Sequence, residues 1–310
     1  MKALVVGQGS IGSRHARLLS QLDCKVAVVS RRENLPFRTH ATLAVAMATE
    51  QPDYIVIANP TSEHRQALQT VADNGFDGRV LVEKPLFDMP ADIPRNRFRG
   101  AYVAYNLRFH PVIQAIRTRL QGEQPISAQF YAGQYLPTWR PGTDYTQSYS
   151  ARRVAGGGVL RDLSHELDCL TWLFGDCKRV AAIGGHFSHL AIDSDDAFSV
   201  LAETGRCSMA TLQVNYLDRI RKREIVINTD RHALHADLVA ARLVVDTDTQ
   251  EFSVSPDDTY LAQHRAVIAD DDRYLCTLKQ GMGIVELVAT IERAAKSGNW
   301  ISIPDRDGGP

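Results

Sequence analysis

The sequence predicts a two-domain chain: a doubly wound, parallel α/β domain followed by an α+β domain with a largely antiparallel sheet. Three observations predict it. A glycine-rich turn, Gly7-Gln8-Gly9-Ser10-Ile11-Gly12, follows the first apolar run. Strand-like and helix-like stretches alternate through the first hundred residues, which is the pattern of a parallel sheet covered on both faces. After about Asn106 long strand-like runs replace that alternation.

In chain order, Ala3–Val6 reads as a buried first strand. Ser13–Gln21 is helical, with Ala16, Leu19 and Leu22 at helical spacing. Lys25–Val29 is the next strand, Thr42–Ala48 a short helix and Tyr54–Ala58 another buried strand. Glu63–Asn74 is a helix closed by Gly75, and Arg79–Val82 and Ala101–Tyr105 complete the parallel set. Pro111–Leu120 is a helix. Strand-like runs follow at Ser127–Leu136, Val180–Phe187, Ala197–Glu203, Cys207–Tyr216 and Glu224–Asn228, interrupted by one strong helix at Val159–Phe174. A final helix covers 278–296, and Asp305–Pro310 is expected to be a loose tail. The domains are expected at 1–106 and 107–310, with the final helix able to pack back on the first.

With a net charge of -1, nothing global points to nucleic acid or to an anionic membrane surface. No apolar run approaches the roughly 20 residues of a membrane span. The N-terminal run is too short for a signal peptide and ends in glycines rather than in a cleavage site, so a buried strand is the better reading. Cys24, Cys169, Cys177, Cys207 and Cys276 are odd in number and show no CxxC spacing, which fits reduced thiols in the cytoplasm.

The glycine turn is GxGxxG between a strand and a helix, the context of a Rossmann dinucleotide site. Gly7 permits the tight turn, Gly9 admits a pyrophosphate, and Gly12 lets helix and strand pack. Ser10 and Ile11 open the helix whose N-terminus faces the phosphates. The second strand ends in Ser30-Arg31-Arg32, without the acid that grips a ribose 2′-OH in NAD enzymes. Ser30 can hydrogen-bond a 2′-phosphate, and Arg31 or Arg32 can pair with it. NADP(H) is therefore favoured and NAD(H) remains possible, with Glu33 close by. Asn59 and Pro60 follow the third parallel strand and are expected at the same crevice. His64 opens the next helix, either at that crevice or as a surface residue.

Glu83-Lys84-Pro85 follows the strand Arg79–Val82, so Lys84 is delivered to the crevice edge. There it can hydrogen-bond a substrate hydroxyl and assist its proton transfer. The proline restricts the backbone and can adopt the cis form. Gly156-Gly157-Gly158 then opens a helix with two faces. Leu160, Leu163, Leu167, Leu170 and Phe174 form an apolar stripe, while Asp162, His165, Cys169 and Trp172 lie nearly opposite and read as a pocket lining. Asp162 and His165 are three apart and can share a hydrogen bond, and a histidine is the natural proton shuttle. The competing readings are an interior histidine paired with Asp168, or metal ligation by Asp162, His165 and Glu166. The latter lacks a second ligand cluster, so no metal is expected. His186 and His189 fall on opposite faces of a strand, and Asp193–Asp196 reads as a turn.

In this order the pieces resemble the glucose–fructose oxidoreductase/inositol dehydrogenase/MocA (Gfo/Idh/MocA) family. The matching features are GxGxxG at Gly7, Asn59-Pro60 with His64, Glu83-Lys84-Pro85, Asn106-Leu107-Arg108-Phe109-His110-Pro111, and the triple-glycine helix with Asp162, His165 and Asp168. The resemblance implies a Rossmann domain and an open, mostly antiparallel second sheet. It implies Lys84, Asp162 and His165 as the catalytic group, with Glu83, Asn106, Trp139 and Arg140 at the cofactor. Arg108, Tyr135 and Tyr145 are then expected at the substrate. Two departures stand out: the family commonly spaces its Asp and His four apart, and Leu86–Gly100, with Pro90 and Pro94, is too short and broken for the helix usual after Glu-Lys-Pro.

The implied activity is hydride transfer between nicotinamide and a hydroxyl-bearing carbon of a sugar, nucleotide sugar or cyclitol. The run from Tyr105 to Tyr145 looks like members associated with bacterial surface-sugar and nonulosonic-acid gene clusters. Two alternatives are a glycosidase that oxidises its substrate only transiently and a cofactor-binding regulator without catalysis. An open sheet face needs covering, which implies a homodimer or homotetramer.

Overall fold

The computed structural model describes residues 1–304, and the expected loose tail, 305–310, lies outside them. Six of the seven strands of the first sheet come from the first hundred or so residues: β1 (Lys2–Val6), β2 (Lys25–Val29), β3 (Arg38–His40), β4 (Tyr54–Ile57), β5 (Arg79–Val82) and β6 (Gly100–Val103). They lie in the order β6-β5-β4-β1-β2-β3, all parallel. The helices α1 (Ser10–Gln21), α2 (Leu43–Glu50) and α3 (His64–Asp73) are the crossovers. β4 and β5 are buried along their whole length, as a strand covered on both faces must be. β3 escaped the sequence reading because a three-residue edge strand reading Arg-Thr-His carries no apolar signal. Strand order reverses between β1 and β4, so the crevice beyond their carboxyl ends is the expected ligand position. Residues 84–99 form no helix or strand, and Leu86 and Phe87 anchor them in the interior.

The second unit opens with α4 (Pro111–Arg119) and β7 (Pro125–Gly133), then α5 (Val159–Asp162) and α6 (His165–Phe174). Its sheet continues with β8 (Cys177–Gly185), β9 (Ala197–Thr204), β10 (Met209–Asn215), β11 (Lys222–Thr229), β12 (Ala233–Asp237), β13 (Arg242–Val245) and β14 (Asp248–Glu251). The order is β14-β13-β12-β11-β7-β10-β9-β8, and every pairing is antiparallel except β7 with β10. One face is core: Phe130 of β7 meets Phe174 of α6 edge-on at 6.2 Å. On the other face Ile183, Leu201 and Met209 are exposed. The strands β12–β14 were missed because they are short and carry polar residues at most outward positions.

The chain then provides α7 (Asp258–Ala269), β15 (Cys276–Thr277), α8 (Leu278–Ser297) and β16 (Ile301–Ser302). The compact units are Met1–Phe109 with Ser255–Val285, and His110–Val254 with the chain from Glu286 onward. Residues 255–285, placed in the second domain on sequence grounds, thus join the first. β15 pairs antiparallel with β6, and Ala266, Val267 and Leu275 enter the core that holds Val5, Val28 and Tyr54. A chain that returns after 145 residues leaves no local trace of its destination. β16 pairs with β8 in the second sheet. No helix among the described residues is long and apolar enough to cross a membrane.

Candidate active site

The turn after β1 is a backbone cradle. Gly7 has φ +97°, a conformation open mainly to glycine. A Cβ on Gly12 would lie 2.1 Å from the Gly7 carbonyl oxygen, so α1 reaches the turn only because that residue is glycine. A Cβ on Gly9 would meet nothing within 4 Å, and Gly9 caps α1 without any side-chain hydrogen bond. The N–H groups of the first turn, at Ser10 and Ile11, therefore face open space and suit an anion. Two buried polar atoms lack partners beside this cradle: Gln8 Nε2 after β1 and Asn59 Oδ1 after β4. A dinucleotide fits these residues, since it brings the phosphate oxygens and hydrogen-bonding groups they lack. At the end of β2, Ser30 Oγ accepts from the Arg32 backbone N–H at 3.0 Å, and Arg31 and Arg32 are exposed.

His64 is buried, not on the surface. Its Nδ1 lies 3.1 Å from the Pro85 carbonyl and its Nε2 3.0 Å from that of Asn59, so it spans the loops after β4 and β5. Burial lowers its pKa, and the surrounding carbonyls and Glu83 oppose that only in part. Pro60 is exposed at the head of a 3₁₀ turn, Thr61–Glu63. Glu83 is buried, and its Oε2 accepts from the Lys84 backbone N–H at 3.1 Å. The Lys84–Pro85 peptide is cis, and Lys84 is half-buried. The structure gives two of the expected ligand-binding residues other partners: Asn106 donates to Thr259 at 2.7 Å, and Arg108 donates to the Leu275 carbonyl at 3.2 Å and to Gln280 at 3.1 Å.

In the second unit the helix expected at Val159–Phe174 is two helices, broken at Leu163 and Ser164. The physical reason lies outside the helix. Asp195 accepts from the backbone N–H of Leu160 through Oδ2, and its own carbonyl accepts from Val159, so it caps α5. A Cβ on Gly158 would sit 2.4 Å from the Asp195 carboxylate, which explains a glycine there. At the other end of α5, Asp162 accepts hydrogen bonds on Oδ1 from Tyr149 and on Oδ2 from Tyr216, the latter at 2.6 Å. Burial, and then Asp162 itself, push both phenols well above their ordinary pKa, so both remain donors. Asp162 and His165 therefore do not share one continuous helical face. They are both buried, on either side of the break.

Around them the structure gathers Tyr135, Trp139, Arg140 and Tyr145. The Trp139 ring meets Tyr216 edge-on at 5.2 Å, and the Arg219 guanidinium lies 3.5 Å from the centre of the Tyr135 ring. Trp139, Arg140 and Tyr145 line one small recess with Leu136, Ser148 and Ser150. Toward the far end of the expected pocket lining, Cys169 is buried and Trp172 carries Arg117 stacked at 4.0 Å. Asp193–Asp196 is more than a turn, because Asp195 caps α5 and Asp196 binds the Phe187 and Ser188 backbone N–H groups at 2.9 Å each. Tyr149, Tyr216 and Asp195 were missed because their partners are 13 to 54 residues away.

Beside this group, Arg223 binds Glu166 at 2.7 Å. His110 caps α4, its Nδ1 accepting from Val112 N–H at 3.3 Å. Burial, and then the Arg223 charge, lower the His110 pKa to about 4.

Residues 1–96 match a family model described as an oxidoreductase family with an NAD-binding Rossmann fold, and residues 124–235 match the GFO/IDH/MocA C-terminal domain. A 2,7-anhydro-N-acetylneuraminate hydratase of Escherichia coli is 24% identical over 291 residues, which are 87% of this chain and 74% of that protein. Levoglucosan dehydrogenase in complex with NADH shares the fold at a TM-score of 0.85 and 13% identity, over 98% of this chain and 99% of that one. The WlbA dehydrogenase of Bordetella pertussis, solved with NADH and UDP-GlcNAcA, does so at 0.78 and 17%, over 98% of each.

His110 makes stability depend on pH. Its folded pKa lies below the unfolded value of about 6.5, so the unfolded chain binds more protons as pH falls. The stability it contributes is complete above about pH 6.5 and is lost as pH drops toward 4. A His110→Asn variant keeps a capping acceptor without that proton. Its urea-unfolding free energy should fall less than the wild type's between pH 6.5 and 4, by up to about 3 kcal/mol; parallel profiles would contradict a neutral buried His110.

Proposed function

The chain belongs to the Gfo/Idh/MocA oxidoreductase family, whose two domain models its two parts match, and from that premise we propose that it transfers a hydride between nicotinamide and a hydroxyl-bearing carbon of a sugar, nucleotide sugar or cyclitol. The observation that carries the reading is the buried Asp162, held on both oxygens by Tyr149 and Tyr216, next to the buried His165. A carboxylate clamped in this way is an orienting group, not a mobile one. Truncating it would strand two buried hydroxyls, at about 1–3 kcal/mol each.

The backbone of Gly7, Gly9, Ser10, Ile11 and Gly12 would hold the dinucleotide, with Gln8, Asn59, Pro60 and the Glu83-Lys84 turn beside it. When bound, it supplies the hydride acceptor or donor at nicotinamide. In oxidation the substrate carbon loses its hydrogen as hydride and the hydroxyl loses its proton. His165 takes that proton, and Asp162 fixes the local field in which it does so. Lys84, presented by the turn after β5, can donate a hydrogen bond to a substrate hydroxyl. Tyr135, Trp139, Arg140 and Tyr145 offer aromatic and cationic groups for a polyol. Ser30, Arg31 and Arg32 favour NADP(H), because a 2′-phosphate gains charge-assisted hydrogen bonds there and the second strand does not end in an acid. The five cysteines are buried and none forms a disulfide, which supports the cytoplasm as the working compartment.

A second reading keeps the redox step but returns the hydride, so that a bond elsewhere in the sugar breaks. The relative named as a hydratase favours keeping it in view. The outward sheet face supports a further proposal, self-association. Across β8, β9, β10 and β7 its rows run Ala181, Leu201, Thr211, Gln129 and Ile183, Ser199, Gln213, Tyr131, without a charge. They line a groove of about 670 Å³. A second copy of this chain is the occupant proposed, since these two rows carry no charge and self-complementary pairing needs no other sequence.

Three measurements test these proposals. Incubation with NAD(P)⁺ and a panel of hexoses, anhydrosugars and nucleotide sugars should give reduced cofactor, and Lys84→Ala should lower kcat/KM by roughly 10²–10⁴. Unchanged turnover in that variant removes Lys84 from the chemistry, while bond cleavage without net reduced cofactor selects the second reading. In thermal unfolding, NADP(H) at equal concentration should raise the Tm more than NAD(H); the reverse order overturns the Ser30-Arg31-Arg32 assignment. Light scattering should give a dimer or tetramer that Ile183→Asp dissociates, and a monomeric wild type ends the self-association proposal.

A further inference from the structure

A chain of fully buried polar side chains runs through the first unit and ends on the residue before Lys84. Tyr54 OH lies 2.9 Å from His264 Nδ1. His264 Nε2 lies 2.9 Å from His15 Nδ1, and His15 Nε2 lies 2.8 Å from Glu83 Oε1. Tyr54, His264 and His15 are 0% exposed. The members come from β4, α7, α1 and the end of β5. We infer that His15 and His264 are positioning residues: with Tyr54 they fix the Glu83 carboxylate and, through it, the backbone and amine of Lys84.

Proton accounting gives the chain one direction. A buried phenol must donate, and His264 Nδ1 is the acceptor within reach of Tyr54. A neutral His264 then carries its proton on Nε2 and donates to His15 Nδ1. His15 in turn carries its proton on Nε2 and donates to Glu83, which as a carboxylate only accepts. The other Glu83 oxygen accepts from the Lys84 backbone N–H, so the carboxylate is held from both sides at the turn that presents Lys84. Burial alone would push the Glu83 carboxyl up. The hydrogen bond and charge of His15, and then the nearby Lys84 charge, outweigh it and leave it below its ordinary value. Burial, and then the His15 charge, keep His264 well below a histidine's ordinary value, and burial keeps Tyr54 well above a phenol's. The Glu83 charge also acts on His64, and Tyr260, beneath the Arg14 guanidinium, stands edge-on to His15 at 5.8 Å.

A merely space-filling role is served better by apolar side chains, because each buried polar link carries a desolvation cost. What the chain adds is a fixed negative charge beside Lys84, tied to α1 and to α7. That this matters for turnover rests on the reading of Lys84 given above; that it holds Glu83 and Lys84 does not.

The test is therefore made on Lys84 directly, in the full-length protein. Trace acetylation with acetic anhydride at pH 8, followed by mass spectrometry, reads the reactivity of the Lys84 amine against that of the exposed Lys178 in the second unit. His264→Phe keeps a ring and removes both nitrogens, and His15→Leu removes the donor to Glu83. His15→Leu leaves Glu83 Oε1 without its donor, and His264→Phe leaves His15 Nδ1 without the partner that fixes its ring, so in both the carboxylate is held less firmly and is more readily protonated, and Lys84 loses part of a neighbouring negative charge. Its acetylation should rise about threefold, as expected for half a pKa unit, with Lys178 unchanged. His15→Gln, which retains an N–H donor toward Glu83, should restore the wild-type rate. Tyr54→Phe removes only the terminal hydroxyl and should give a smaller rise; it decides the matter if the histidine variants do not fold. Unchanged Lys84 reactivity in folded His264→Phe and His15→Leu, or no rescue by His15→Gln, overturns the inference. Altered reactivity in an enzyme whose turnover ignores Lys84→Ala leaves the positioning intact and removes Lys84 from the chemistry.

Discussion

The approach of α1 to the turn after β1 is the contact on which the first unit depends. A Cβ on Gly12 would stand 2.1 Å from the Gly7 carbonyl oxygen, and one on Gly7 would stand 2.6 Å from that of Ala58. Two missing side chains thus let three backbone segments close on one another. That closure aims the uncapped N-terminus of α1 at the crevice. One turn further on it also drives His15 into the interior, where a histidine must find partners. The cradle for a dinucleotide and the buried chain to Glu83 follow from one packing event.

The second unit solves a different problem. A four-residue helix is too short to hold its own direction. α5 is held instead by groups at its two ends: Asp195 on its first N–H groups, and Tyr149 and Tyr216 on Asp162 at its last residue. Breaking the helix at Leu163 and Ser164 lets Asp162 satisfy two tyrosines while His165 opens α6. Most residues of both halves are buried, α6 against β7 and α5 beside the loop carrying Asp195.

Much of this was legible in the residues. The parallel set β1, β2, β4, β5 and β6 shows as apolar runs between helical stripes, and Gly7–Gly12 and Glu83-Lys84-Pro85 sit where strand ends deliver them. Less legible were elements whose signal is weak or distant. β3 and β12–β14 are short and polar. α7 shows no clean stripe, because it buries Gln263 and His264 alongside Ala266 and Val267. Asn106 and Arg108, read as ligand-binding, hold Thr259, Leu275 and Gln280. Those partners arrive from a segment more than 150 residues later.

The sequence by itself determined the two kinds of sheet, the glycine cradle and the list of ionisable residues to watch, because hydrophobic period, glycine spacing and strand-end position are local properties. Tertiary structure decided which of those residues keep company. It returned 255–285 to the first unit, split the helix at 163–164, gave Asp162 to two tyrosines and linked Glu83 to Tyr54 through two histidines. Each of these is a hydrogen bond or a packing contact between residues far apart in the chain. Their geometry is set by how the strands and helices close on one another, which no single stretch of sequence encodes.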